Sequence, residues 1–231
     1  MAITGVLCDF SGTLMRVEPA ERWLRTVLDR HGTRLPDEEV VRLAGALEAA
    51  GALPGGGAPR EVPAELAGLW RERDRDPSGH RELYLRLARR VPLPSPELYE
   101  ALYERHMEPD AWQPYPDTRT VLAALRERGV RVAVVSNIGW DLRPVFREHG
   151  LDRFVNAYAL SFEHHAVKPE PRLFRIACAE LGLVPQHTVM VGDDARADGG
   201  AAAVGCAVHL VRHLPVDERP DGLLPVLDLA G

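Results

Sequence analysis

Four short segments of this chain carry side chains able to do chemistry together. They are Asp9-Phe10-Ser11-Gly12-Thr13, Val134-Val135-Ser136-Asn137, Val167-Lys168-Pro169-Glu170-Pro171 and Val191-Gly192-Asp193-Asp194-Ala195-Arg196-Ala197-Asp198. Three of them follow or adjoin apolar runs that read as strand ends, and the Lys168 segment opens a helical pattern. Two carboxylates at adjacent strand ends, Asp9 and Asp193, would form a hard-oxygen site suited to octahedral Mg²⁺ with several waters retained. Such an ion would screen a carboxylate nucleophile from a phosphate dianion. The same residues have plainer readings. Gly-Asp-Asp is ordinary turn chemistry, with Asp193, Asp194 and Asp198 as caps, and Ser136 with Asn137 can end a strand as a helix cap. Lys168 is the only lysine among 28 basic residues, which favours a role for it over drift.

The elements that must position these segments follow from hydrophobic patterning. Apolar, β-branched runs predict strands over Ile3–Asp9, Val130–Ser136, Phe154–Leu160, Thr188–Val191 and Ala207–Val211. Helical patterns lie between them: Asp117–Arg128, capped by Asp117 or Thr118 and closed by Gly129; Asp141–His149, closed by Gly150; Pro171–Leu181, closed by Gly182; and the small-residue stretch Gly199–Val204. Alternating strands and helices predict an α/β fold, a doubly wound parallel sheet with ligands at the carboxyl ends of its strands. The stretch from 16 to 112 breaks the alternation. It predicts helices over Glu21–His31, Asp37–Ala50, Glu61–Arg73, Gly79–Arg90 and Ser95–His106, with the Pro/Gly-rich Leu53–Pro59 as a mobile loop and the mixed-charge Arg71–Asp76 as a solvated helix end. The expected organisation is therefore a core of 1–15 and 113–231 with an inserted helical cap of 16–112. Hinges are expected near Leu14–Val17 and Trp112–Pro116. Trp23, Trp70, Tyr84, Tyr99 and Tyr103 are read as the insertion's own core.

The net charge of −6 argues against nucleic acid as a partner, because phosphate-backbone binding leaves a basic footprint. Cys8, Cys178 and Cys206 are widely spaced, odd in number and set in apolar surroundings, which predicts buried thiols in a reducing compartment. With no basic leader and no apolar stretch of membrane-spanning length, the expectation is a cytoplasmic protein, monomer or homodimer, with no membrane partner.

Taken together, in order and at these spacings, the four segments resemble the motifs of the haloacid dehalogenase-like superfamily. The resemblance covers about 2–14 and 115–211; the insertion matches only in position and helical character. It implies that Asp9 is a nucleophile forming an aspartyl-phosphate, with a small phosphorylated metabolite as substrate. It implies Mg²⁺ held by Asp9, Asp193 and the Ser11 carbonyl, with Asp194 and Asp198 supporting from behind. Ser136, Asn137 and Lys168 would hold the phosphate, and Arg16, beside the hinge, could hold a substrate anion.

The chain departs from the family at Ser11. Most phosphatases of this family carry there a second Asp that protonates the leaving alkoxide and then activates water. Serine does not titrate near neutrality, and a positioned acid–base group contributes roughly 10²–10⁴ in rate. Three readings follow. The protein is a phosphatase or phosphotransferase for substrates whose leaving group needs no proton, or one that borrows an acid, with His164 and His165 the nearest candidates. It is a metal-independent 2-haloacid dehalogenase, whose relatives also lack the second Asp but generally lack the acidic turn at Asp193. Or it is a catalytically impaired protein that binds a phosphorylated ligand and regulates.

Overall fold

The computed structural model describes residues 3–59 and 61–230, so the expected core limits at Met1 and Gly231 lie outside the described residues. Strand β1 (Gly5–Cys8) is followed by the short β2 (Met15–Val17), then helices α1 (Ala20–Arg30), α2 (Asp37–Ala49), α3 (Ala67–Glu72), α4 (Pro77–Ala88) and α5 (Glu97–Arg105). The chain continues through β3 (Trp112–Pro114), α6 (Thr118–Glu127), β4 (Arg131–Ser136), α7 (Arg143–Glu148), β5 (Ala157–Leu160), α8 (Ser161–His164) and α9 (Pro171–Glu180). It ends with β6 (Thr188–Gly192), β7 (Ala207–Leu210) and α10 (Val226–Leu229).

Five strands form one parallel sheet in the order β5-β4-β1-β6-β7. Its central strands are buried on both faces, as parallel strands covered by helices must be. Alternate side chains go to opposite cores. Val6, Cys8, Val132, Val134, Val189 and Val191 face one, whereas Leu7, Ala133, Val135 and Met190 face the other with Phe174 and Ala177 of α9. Because β1 is central, the residues that follow β1, β4 and β6 emerge side by side at one sheet edge, which brings the Asp9, Ser136 and Asp193 segments together.

The helices between β2 and β3 bury their own apolar stripe. In α1 it runs through Trp23, Leu24, Val27 and Leu28, and the Trp23 indole N–H donates to the Leu102 carbonyl at 3.0 Å. Arg105, 1% exposed, grips Glu18 with Nε and Nη2 at 2.7 and 3.0 Å and so closes the insertion's last helix onto its first turn.

Several sequence expectations change here. The two hinge segments pair with each other as the antiparallel β2–β3 ribbon, three residues a side and too short for periodicity to show. The helix expected over Glu61–Arg73 is shorter, a 3₁₀ turn at Ala64–Leu66 leading into α3 after Pro63. Gly199–Val204 lies in a 3₁₀ run, Asp198–Val204. Asp117 stands at the N-cap position of α6, but its side chain does not cap the helix: the carboxylate accepts the N–H groups of Leu223 and Leu224 at 2.6 and 3.2 Å, fastening the C-terminal segment. In Leu53–Pro59 the first two residues are buried, and Gly55, at φ +77°, packs its backbone against Trp112. Tyr84 lies in the apolar core and Trp70 packs against it, as read, and both also line the cavity described below.

Candidate active site

The segment after β1 is a tight turn. The amides of Leu14 and Met15 donate to the Phe10 carbonyl at 3.0 Å, and Gly12 N–H donates to the Met15 carbonyl at 2.7 Å. Phe10 is buried against Trp112, Trp140 and Phe146 and anchors the turn from below. Gly12 has φ +84°, and a Cβ there would lie 2.5 Å from the Asp193 carboxylate, so both backbone and space require glycine. Arg219, buried on the face of Tyr115, donates to the Gly12 carbonyl at 2.7 Å and to that of Thr13. The C-terminal segment thereby holds the turn that carries Asp9.

Asp9 is 7% exposed. Its Oδ1 accepts from the Lys168 ammonium at 2.6 Å, and Thr13 Oγ1 lies 3.4 Å from its Oδ2 and 3.3 Å from Asp193 Oδ1. Lys168 donates equally to Asp198 Oδ1 at 2.6 Å. Burial works against the Lys168 charge, but the two carboxylates outweigh it and hold the ammonium above the ordinary lysine range. Asp9 is pushed up to about 7 by burial, despite Lys168, with Asp198 and Asp193 adding to the rise. Asp193 moves the other way: burial would raise it, and His213 and Lys168 hold it below the usual carboxylate range. One oxygen from each of Asp9, Asp193 and Asp198 lies within 4.8 Å of the others.

The remaining sequence candidates divide. Ser136, 3% exposed at the end of β4, and Ser11 line the same cavity as Asp9, Lys168 and Asp193. Asn137 lines it too, but its amide is committed to the main chain of Lys168, accepting from its N–H at 2.6 Å and donating to its carbonyl at 3.0 Å. It positions Lys168. Asp198 is buried, and its Oδ2 accepts the Asp194 N–H at 3.0 Å; Gly192 leaves the room it needs, since a Cβ there would fall 2.1 Å from its carboxyl group. Asp194 is exposed and caps the turn through the N–H groups of Arg196 and Ala197, the plain turn chemistry read beside the functional one. Arg16 does not reach the site: it lines a neighbouring cavity beside Glu18 and Asp110. His164 lies near Glu180, and His165, at φ +49°, pairs Nδ1 with the Arg75 carbonyl, so neither faces the cavity as a borrowed acid. Burial pushes the Cys8 thiol up to about 12, with Asp9 adding to it, and no thiolate forms there near neutrality.

Sequence reasoning missed several residues of the site. His213, in the segment after β7, pairs Nδ1 with Asp193 Oδ2. The rule that ligands sit beyond the carboxyl ends of strands pointed to that segment. Trp70, Arg73, Asp74, His80 and Tyr84 reach the cavity, of about 270 Å³, from the insertion. In the run Arg71–Asp76 the solvated helix end is confined to Arg71 and Glu72, exposed at the end of α3; beyond it Asp74 is 8% exposed and Arg73 lies over the Trp70 ring at 4.1 Å.

A parallel sheet of this order, with a turn bearing a buried carboxylate after its central strand and a lysine bridging two carboxylates, defines a class of α/β cores. The family described as haloacid dehalogenase-like hydrolase matches residues 3–205, and the chain belongs to that family. Among curated relatives, a phosphoserine phosphatase of Thermus thermophilus is 37% identical over 138 residues, 58% of this chain and 54% of the relative. The (S)-2-haloacid dehalogenase 4A of Burkholderia cepacia is 30% identical over 154 residues, 61% of this chain and 66% of the relative. The chain thus matches about half to two thirds of the length of these relatives. The solved L-2-haloacid dehalogenase of Xanthobacter autotrophicus shares the fold, with a TM-score of 0.63 at 18% identity over 98% of this chain and 86% of that one.

Proposed function

We propose that this hydrolase is a Mg²⁺-dependent phosphatase or phosphotransferase acting on a small phosphorylated metabolite through an aspartyl-phosphate on Asp9. The observation that carries the reading is the cluster of Asp9, Asp193 and Asp198 around a single ammonium. Three carboxylates share one lysine, with the exposed His213 against the outer oxygen of Asp193, and Thr13 Oγ1 makes only long contacts, 3.4 and 3.3 Å, to Asp9 Oδ2 and Asp193 Oδ1. This set fits a hard divalent cation held by Asp9, Asp193 and the Ser11 carbonyl. When bound, the ion would neutralise charge on the substrate phosphate and screen it from the nucleophile.

The chain's own groups do the rest. Asp9 attacks phosphorus in line with the leaving oxygen, and its carboxylate takes up the phosphoryl group. Lys168, fixed by Asn137 and Asp198, meets the charge that builds on the phosphoryl oxygens, and the Ser136 hydroxyl at the β4 end donates to one of them. The insertion covers the site and excludes water while the phosphoryl group is transferred. The phosphoserine phosphatase relative supports a phosphomonoester substrate.

A second reading, metal-independent dehalogenation with Asp9 attacking carbon, is favoured by the Burkholderia relative and by Ser11. The test is phosphate release from alkyl, aryl and acyl phosphates with Mg²⁺ and with EDTA, beside halide release from 2-chloropropionate. Mg²⁺-dependent phosphate release that disappears in Asp9→Asn is expected. Halide release in EDTA would move the assignment to dehalogenation. Ligand binding without turnover would move it to a regulatory protein.

A further inference from the structure

If Asp9 transfers phosphate, an alkyl leaving group must gain a proton, and Ser11 cannot supply it. We propose that Asp74, delivered by the insertion, is the general acid and base of the phosphatase reaction, an inference that rests on the phosphohydrolase reading above.

The other candidates around the cavity are committed. Asp198 accepts from Lys168 and from the Asp194 amide, Asp194 caps its own turn, and His213 is held by Asp193. His80 pairs Nδ1 with the Tyr103 hydroxyl, and burial, with His106 adding to it, lowers its basicity well below that of an ordinary histidine and disfavours the imidazolium that would act as an acid. Asp74 differs. It lines the cavity with Asp9 and Lys168, it is more than nine-tenths buried, and among the described residues no donor makes a hydrogen bond to its carboxylate. Arg73 Nε lies 3.5 Å from Oδ2, and the His80 Nε2, whose charged form burial disfavours, lies 4.0 Å from Oδ1.

Its position relative to the core is fixed. The Ser161 hydroxyl donates to the Asp74 carbonyl at 2.5 Å and accepts the Ile138 N–H at 2.8 Å, two residues beyond Ser136. The next residue, Arg75, donates to the His165 carbonyl at 2.9 Å and pairs with Glu170, on either side of Lys168. Asp74 is therefore docked between the two segments that hold the phosphate in the proposed reaction. Facing it are Arg73, His80, Tyr84 and Lys168; burial raises its proton affinity and the Arg73 and Lys168 charges only partly oppose that, which is the direction a general acid requires.

In the first step the Asp9 oxygen bonds to phosphorus as the bond from phosphorus to the leaving oxygen breaks. The Asp74 carboxyl proton goes to that oxygen, releasing the alcohol. In the second, the Asp74 carboxylate takes a proton from water as the water oxygen bonds to phosphorus. The bond from phosphorus to Asp9 breaks, returning the Asp9 carboxylate and inorganic phosphate.

The test uses the full chain with Mg²⁺ and the variants Asp74→Asn, Asp74→Glu and Asp74→Asn with Ser11→Asp, each checked for an unchanged thermal melt. For Asp74→Asn, turnover of alkyl phosphates should fall by ~10²–10⁴-fold. p-Nitrophenyl phosphate, whose leaving group needs no proton, should still give a burst of nitrophenolate equal to the enzyme, followed by slow release of phosphate. Adding Ser11→Asp, which restores the family's acid, should recover alkyl turnover, and Asp74→Glu should retain part of it. Equal loss for alkyl and nitrophenyl substrates with no burst, or no loss for either, would overturn the role of Asp74. Absence of phosphate release by the natural chain from every substrate would instead overturn the phosphohydrolase reading beneath it.

Discussion

At the scale of residues, the site is organised around one ammonium shared by two buried carboxylates. Lys168 lies 2.6 Å from both Asp9 and Asp198, and its side chain is 3% exposed. Removing one partner from a buried ionic group leaves the others uncompensated, at a cost of about 3–5 kcal/mol. Lys168→Met should therefore lower the unfolding free energy in urea by that amount, without added metal, as well as abolish turnover. A loss below 1 kcal/mol would mean that the carboxylates simply take up protons. Asp9, already pushed up to about 7 largely by its burial, is the group most ready to do so.

At the scale of elements, α5 is followed at its C-cap by a histidine whose titration ties the insertion's stability to pH. His106 is fully buried, its Nδ1 pairs with the Tyr103 carbonyl, and burial lowers its pKa from 6.5 to about 3. Below pH 6.5 the unfolded chain binds a proton that the folded one refuses, so this contribution to stability is complete above 6.5 and declines as pH falls toward 3. By pH 5 the loss should reach ~2 kcal/mol, with His80 acting in the same direction. His106→Phe should flatten the dependence of the unfolding midpoint between pH 7 and 5; an unchanged slope would place the titrating group elsewhere. Elements also decide what the sequence made legible. Strands β1, β4 and β6 were readable because both their faces are buried, which demands unbroken apolar runs, and three of the four motif segments follow from their ends. The β2–β3 ribbon was not, since three residues carry no period. Asp74 was misread because its charge stood within a run of charges, and burial there comes from contact with residues 138 to 170, distant in sequence. His213 and Arg219 follow the last strand, in chain without regular pattern, and only the fold brings them back to Asp193 and Gly12.

At the scale of the whole molecule, polar contacts that tie the insertion to the core include Arg75 to His165 and Glu170, Ser161 to the Asp74 carbonyl and His149 to the Pro109 carbonyl. The Arg75–Glu170 pair is partly exposed, with side chains 26% and 41% accessible, so it adds at most ~1 kcal/mol to global stability. Its effect on positioning is larger, because misplacing a reacting group by about 1 Å can cost ~10²-fold in rate. Arg75→Ala should leave urea unfolding nearly unchanged while lowering kcat by up to that factor; a large fall in stability with unchanged kcat would reverse the assignment. The composition of the molecule has one more consequence. Its many arginines donate to carbonyls, such as Arg131 to Leu181 and Arg128 to Ala230, and its single lysine is enclosed. Apart from the amino terminus, the chain therefore presents acylating reagents with one primary amine, sequestered and held protonated. An amine-directed label should add to Lys168 only in molecules that open, so label uptake followed by mass spectrometry becomes a clock for opening of the site, and occupation of the site by a phosphate mimic should slow it.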